Sequence, residues 1–352
     1  MRVKMNIFHK FRKIYDVKLK NKSELSLSYF IYFIFRMYLI VLILAAFSGG
    51  GSHSSSGGVH AKSLFEEDDN LSPDTFKRLA AALYQRGDKA ENRLTRKFLY
   101  NSNVTCNDGS PAGYYIRRAR GSRRWVVFLE GGWFCFDAAS CEARWLRLRT
   151  LMSSDRWPAV KTAGGILSSD TAENPHFADA NHVLVPYCTS DSWSGTARRR
   201  PGSRFSFLGA EIVQAVVREL FSWESLGAAR ELYLAGSSAG GTGVLLNLDT
   251  VADLVRQLGG HQMRVRGIVD SGWFLDADPY SSTAAATTTT DRPATPASTT
   301  IKIGAETWAA RVPEGCGQAY PAEPWKCFFG FRIHPTLKSK YFSHIYIIDG
   351  SL

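Results

Sequence analysis

At 352 residues with 45% hydrophobic and 21% charged side chains, the chain is globular and long enough to bury one large α/β core or two smaller ones. Its net charge of +11 suggests a polyanionic partner until the charges are located: residues 1–50 carry nine Lys/Arg against Asp16 and Glu24, so +7 belongs to that segment and +4 to the remainder. A mildly basic body gives no reason to expect nucleic-acid binding. Its arginine clusters at 117–124, 144–149 and 198–200 are read first as solvated faces, with glycosaminoglycan contact as the functional alternative.

Positions 1–26 are basic, and residues 27–47 are almost continuously apolar apart from Arg36, with the small residues Ala45, Ala46 and Ser48 at the far end. Residues 1–47 are therefore expected to be a signal peptide or a signal anchor, cleavage being favoured. A flexible Gly/Ser-rich spacer follows over 48–69, and the folded domain over 70–352. Export predicts a secreted, extracellular product with oxidised cysteines, and all six cysteines lie in the body. Of the pairings open to six cysteines, Cys135 with Cys141 and Cys316 with Cys327 are expected as local staples, leaving Cys106 with Cys188. Asn103-Val104-Thr105 is an N-glycosylation sequon on an expected surface loop.

In the body, helical periodicity through Phe76, Leu79, Ala80, Leu83 and Tyr84 predicts a helix within 72–98, opened by Ser72-Pro73-Asp74. Gly113–Ile116 and Trp125–Leu129 read as a hairpin turning through 117–124. The second strand ends in Glu130-Gly131-Gly132-Trp133, and glycines there let backbone N–H groups face a cleft, as an oxyanion requires. Strand 182–187 and the amphipathic helix 205–221 come next. Residues 231–243 then run an apolar strand into Gly236-Ser237-Ser238-Ala239-Gly240 and on into a helix whose apolar positions Val244, Leu245, Leu248, Val251, Leu254, Val255 and Leu258 recur at helical spacing.

That G-x-S-x-G context makes Ser238 the candidate nucleophile, on a strained strand-to-helix turn that needs small neighbours. Strand 265–269 ends in Asp270. Residues 281–300 are Ser, Thr, Ala and Pro with almost no large apolar residue, which predicts a low-complexity surface insertion without core. The last strand, 345–348, precedes Asp349. Alternating strands and helices predict an α/β fold, a mostly parallel sheet with helices on both faces and its site at the carboxyl ends of the strands.

Leu129-Glu-Gly-Gly-Trp133, Gly236-Ser-Ser-Ala-Gly-Gly241, Asp270-Ser-Gly-Trp-Phe274 and Cys327-Phe-Phe-Gly330 resemble the secreted carboxylesterases among the pectin acetylesterase-like α/β-hydrolases. The likeness runs from about residue 70 to about 338 apart from the insertion. It implies removal of palmitoleate from a serine of a lipidated Wnt protein, heparan sulfate or glypican as a further partner, and neither cofactor nor metal. It assigns Ser238 as nucleophile and the backbone N–H groups of Gly132, Trp133 and Ala239 as the oxyanion hole. Phe134, Phe274, Phe328 and Phe329 become the acyl pocket, and Asp349 the acid of the triad.

In this fold the triad runs Ser, then Asp or Glu, then His, yet no histidine follows Asp349. The chain is therefore expected to be truncated before its catalytic base, with an α/β-hydrolase domain incomplete at the C-terminus and weak activity at most. Asp270 is the fallback acid, while His261, His334 and His344 match no base of the family. A glycan O-acetylesterase and a catalytically inactive secreted lipid- or glycosaminoglycan-binding protein are the competing readings.

Overall fold

The computed structural model describes residues 92–101, 103–199, 202–276 and 297–344. The leader, the spacer, residues 72–91 of the expected first helix, most of the insertion, strand 345–348 and Asp349 lie outside them.

In chain order the strands are β1 (Arg93–Phe98), β2 (Gly113–Arg117) and β3 (Arg124–Leu129), then helix α1 (Ala138–Arg147), β4 (Val160–Thr162) and β5 (Asn181–Val185). Helix α2 (Gly209–Trp223), strand β6 (Glu231–Ser237), helix α3 (Ala239–Gln257) and strand β7 (Arg264–Asp270) follow. Helices α4 (Ala297–Thr307), α5 (Glu314–Ala319) and α6 (Gly330–Ile333) lead to β8 (Tyr341–His344). One sheet takes all eight strands in the order β4-β1-β2-β5-β3-β6-β7-β8. From β5 to β8 every pair is parallel, and β4, β1 and β2 add antiparallel at the other edge.

Period-two burial explains how the layers stack. Leu232 and Leu234 of β6 join the large core with Val127 and Val269, under the apolar stripes of α2 (Ile212, Val213, Val216, Leu220) and α3 (Val244, Leu248, Val251, Val255). Tyr233 and Ala235 face the other way, into a smaller core with Val126, Leu184, Leu167 and Phe177. Strand β5 is buried along its whole length, as befits a strand paired on both edges and covered on both faces.

Three expectations are corrected. The hairpin does not form: β5 lies between β2 and β3, with Leu184 opposite Tyr115 on one side and Phe128 on the other. Two apolar runs adjacent in sequence look like pairing partners, but the fully buried run 181–185 pairs with both of them and keeps them apart. Residues 93–98, placed at the end of a helix, are strand β1, because β2 and β4 satisfy its backbone on both edges. Finally, residues 297–300 of the insertion open helix α4, and Thr300 is buried. Ile301 lies in the main core one residue later, so the core does return to this segment.

Candidate active site

Strand β6 ends at Ser237 and helix α3 begins at Ala239, leaving Ser238 between them at φ 56° and ψ −124°. Such a backbone costs a non-glycine residue roughly 1–3 kcal/mol and persists only where its surroundings enforce it. Here the Ser238 N–H donates to Asp270 O at 2.9 Å, and Ser238 O accepts from Thr242 N at 3.0 Å. The flanking glycines are steric necessities. A Cβ on Gly236 would lie 2.3 Å from Gly240 O, and one on Gly240 would lie 2.0 Å from Leu129 O.

The same close approach brings the loop after β3 against Ser238: a Cβ on Gly131 would meet Ser237 O at 2.5 Å and Ser238 Cβ at 3.1 Å. Beyond it Gly132 has φ 153° and Trp133 φ 59°. Among the described residues the N–H groups of Gly132, Trp133 and Ala239 donate to no protein acceptor, so three backbone donors beside Ser238 remain for a ligand oxygen. Ala239 also opens helix α3, whose dipole favours negative charge there.

Trp133, Phe134, Ala239, Phe274, Phe328 and Phe329 line one cleft, with Ser192, Thr242, Leu275, Ala297 and Ile301. Trp133 stacks on Phe134 at 4.8 Å, and Phe134 meets the edge of Trp308 at 5.6 Å. Phe328 and Phe329 are buried floor, whereas Trp133 is 56% exposed at the mouth. Ala297 and Ile301 were not legible as site residues because α4 starts in low-complexity sequence.

Behind the cleft, segment 190–193 holds Ser190, Ser192 and Trp193 at positive φ. Buried Asp191 organises it, accepting from Thr189 Oγ1 at 2.7 Å, Trp193 N at 3.0 Å, Gly195 N at 3.2 Å and Gly209 N at 2.7 Å. Burial raises its pKa to about 6 against the pull of those donors. Disulfides join Cys106 to Cys188, Cys135 to Cys141 and Cys316 to Cys327. The second ties the loop after β3 to α1.

Asp270 ends β7 in register with Ser237 on one side and His344 on the other. Its Oδ2 accepts from Ser237 Oγ at 2.9 Å, while Oδ1 accepts from Ser271 Oγ at 3.2 Å and lies 3.3 Å from His344 Nδ1. These side chains share the face of Tyr233 and Ala235, so it is the hydroxyl of Ser237 that meets this carboxylate. The contact with His344 was missed at the level of sequence, since only strand register brings residues 74 apart together. Asn103 is exposed in the β1–β2 connection. Among the described residues no group of three or more His, Cys, Asp or Glu is placed to hold a metal ion.

A serine on a strand-to-helix elbow, backed by a parallel sheet and faced by unpaired backbone donors, is the arrangement of the α/β-hydrolase fold, and it makes Ser238 the centre of the candidate site. A family model for pectinacetylesterases matches residues 89–349, and the chain belongs to that family. It is 46% identical over 274 residues to palmitoleoyl-protein carboxylesterase notum1a of Danio rerio, covering 78% of this chain and 54% of the relative. To palmitoleoyl-protein carboxylesterase NOTUM of Homo sapiens it is 47% identical over 275 residues, covering 78% and 54%. The solved structure of the Wnt deacylase Notum from Drosophila superposes with a TM-score of 0.66 at 46% identity, covering 72% of this chain and 71% of that one. The chain spans about half the length of these two curated relatives.

Proposed function

We propose that this chain is the hydrolase domain of a secreted, extracellular carboxylesterase that removes palmitoleate from a serine of Wnt proteins and so restrains Wnt signalling. Ser238 Oγ attacks the acyl carbonyl and its proton passes to a general base, a role that none of His261, His334 and His344 matches in this sequence and that Asp349 is proposed to orient. The carbonyl oxygen becomes an oxyanion held by the N–H groups of Gly132, Trp133 and Ala239. Collapse breaks the ester bond, the protein serine leaves with a proton, and water releases the fatty acid from Ser238 by the same route in reverse.

One observation carries this reading: Trp133 and Ala239, two of the oxyanion residues, also line the aromatic cleft that Phe328 and Phe329 floor. Reacting carbonyl and acyl chain then share a wall, and an apolar wall supports a long acyl group over acetate. Heparan sulfate or a glypican is the further partner we propose. Exposed Arg149 and Arg204 both lie over the Trp145 ring, at 4.4 Å and 4.9 Å. The sequon at Asn103 is proposed to carry glycan.

The test is hydrolysis of esters graded from acetate to palmitoleate, alongside a peptide acylated on serine. In a chain that carries its general base, turnover is expected to rise with chain length, and Ser238→Ala should lower it by at least about a thousandfold. Preference for acetate would replace this reading by the O-acetylesterase one, and full turnover by Ser238→Ala would remove Ser238 as nucleophile.

A further inference from the structure

Arg144 stands apart from the other arginines of its cluster. It sits in the last turn of α1 and is 7% exposed, whereas Arg147 and Arg149 face solvent. Among the described residues no carboxylate lies within ion-pair distance of it. Burying an uncompensated cation is costly, and burial pulls this guanidinium's pKa down while leaving an arginine charged.

Its donors go to two groups. Nη2 donates to Gly132 O at 2.6 Å, and Nε donates to Ser190 Oγ at 2.8 Å. Ser190 is itself held: its Oγ donates to Asn107 Oδ1 at 2.8 Å, and its carbonyl accepts from Cys135 N at 3.1 Å. The guanidinium is thus fixed from behind, and its one bond forward is to the loop beside the nucleophile.

In a trans peptide the carbonyl and the following N–H point in opposite directions. Anchoring Gly132 C=O on Arg144 therefore turns the Trp133 N–H away from the guanidinium. That N–H is one of the unpaired donors of the cleft. The left-handed φ of 59° at Trp133 is a conformation that a tryptophan does not hold unaided. A cation on the carbonyl also polarises the peptide and strengthens its N–H as a donor.

We propose that Arg144 is a positioning residue for ester hydrolysis: it locks the Gly132–Trp133 peptide so that the Trp133 N–H serves the oxyanion, and lends that peptide its charge. The inference rests on the esterase reading above for its catalytic meaning, but its structural core is separately measurable.

The experiment compares the full chain with Arg144→Met, Arg144→Lys and Ser190→Ala. Crystal structures should show the Gly132–Trp133 peptide rotated or disordered in Arg144→Met. Binding of octaneboronic acid, which forms a tetrahedral adduct on Ser238, should weaken about tenfold to a hundredfold in that variant, somewhat less than loss of an oxyanion donor itself. Binding of decane, which has no oxygen for the backbone donors and needs only the acyl cleft, should not change. Turnover should fall in kcat with KM held, Arg144→Lys lying between, and guanidinium ion should restore part of the loss in Arg144→Met. Ser190→Ala, which removes only the rear anchor, gives the same pattern more weakly should Arg144→Met fail to fold. An unmoved peptide, or equal weakening of both probes, overturns the proposal. Failure of the parent chain to bind boronate counts against the esterase reading instead, and the peptide's orientation still decides the anchoring.

Discussion

The backbone N–H of Ser238 donates to the carbonyl oxygen of Asp270 at 2.9 Å, so the strained turn at Ser238 hangs on the last residue of the neighbouring strand. The two residues meet through backbone, not through their side chains. The Asp270 carboxylate is turned to Ser237, Ser271 and His344 on the other face of the sheet.

That geometry separates the two candidate acids. Asp270→Asn retains the backbone bond to Ser238 and an amide oxygen that can accept from Ser237, and is expected to lower kcat/KM less than about tenfold. In a chain that carries its general base, Asp349→Asn, at the proposed triad acid, is expected to cost about a hundredfold or more, the range for a group serving acid–base transfer. Steady-state kinetics on the two variants decide it, and the opposite ranking would move the acid's role to Asp270.

Gly240→Ala should be among the most damaging single-methyl changes in the chain. The added carbon falls 2.0 Å from Leu129 O and 2.8 Å from Leu129 C, both backbone of β3, so helix and sheet must part. Overpacking of this kind costs about 1–3 kcal/mol, and rigid backbone places it at the upper end. Urea unfolding should show the lower midpoint, and an unchanged midpoint would contradict the packing described.

The disulfides should separate stability from activity. Cys106 and Cys188 are 82 residues apart, for which loop entropy gives roughly 4–5 kcal/mol, whereas the separation of 6 between Cys135 and Cys141 gives about 2 kcal/mol. The double alanine variant of the first pair should lose more stability. That of the second should lose more turnover, since it frees the loop carrying Gly132 and Trp133. Thermal unfolding and ester kinetics on both variants test the crossed order.

His182 should make the fold acid-sensitive. Burial, and then the charge of Arg117, lower its pKa from 6.5 to about 4. Arg117 Nη2 donates to Nδ1 at 2.9 Å and Nε2 donates to Phe177 O at 2.7 Å, so the ring is neutral and fully used. Between pH 6.5 and 4 the unfolded chain binds the proton that the folded one refuses. The stability present above pH 6.5 is therefore lost as the pH falls through this window, by up to about 3 kcal/mol. His182→Gln should flatten the unfolding free energy over that range, and an unaltered slope would show that other groups carry it.

What the sequence determined alone is what local chemistry can encode. The switch from a β run to helical spacing around Gly236 and Gly240 marks the elbow, because only a residue without Cβ tolerates backbone at 2.0–2.3 Å. The apolar stripes of α2 and α3 and the short-range cysteine pairs are written in spacing of the same local kind. What only the tertiary structure decided depends on partners distant in sequence. Strand β5 takes the place beside β3 that a hairpin reading gives to β2, since pairing is set by burial across the whole sheet and not by adjacency. Strand β1 follows its edge partners over helical propensity, and α4 brings Ala297 to the cleft from a segment whose composition announced no core. Arg144 reads in sequence as one arginine of a solvated cluster. Its burial against Gly132 O exists only once α1 has folded back over the oxyanion loop, and no periodicity in the chain records that contact.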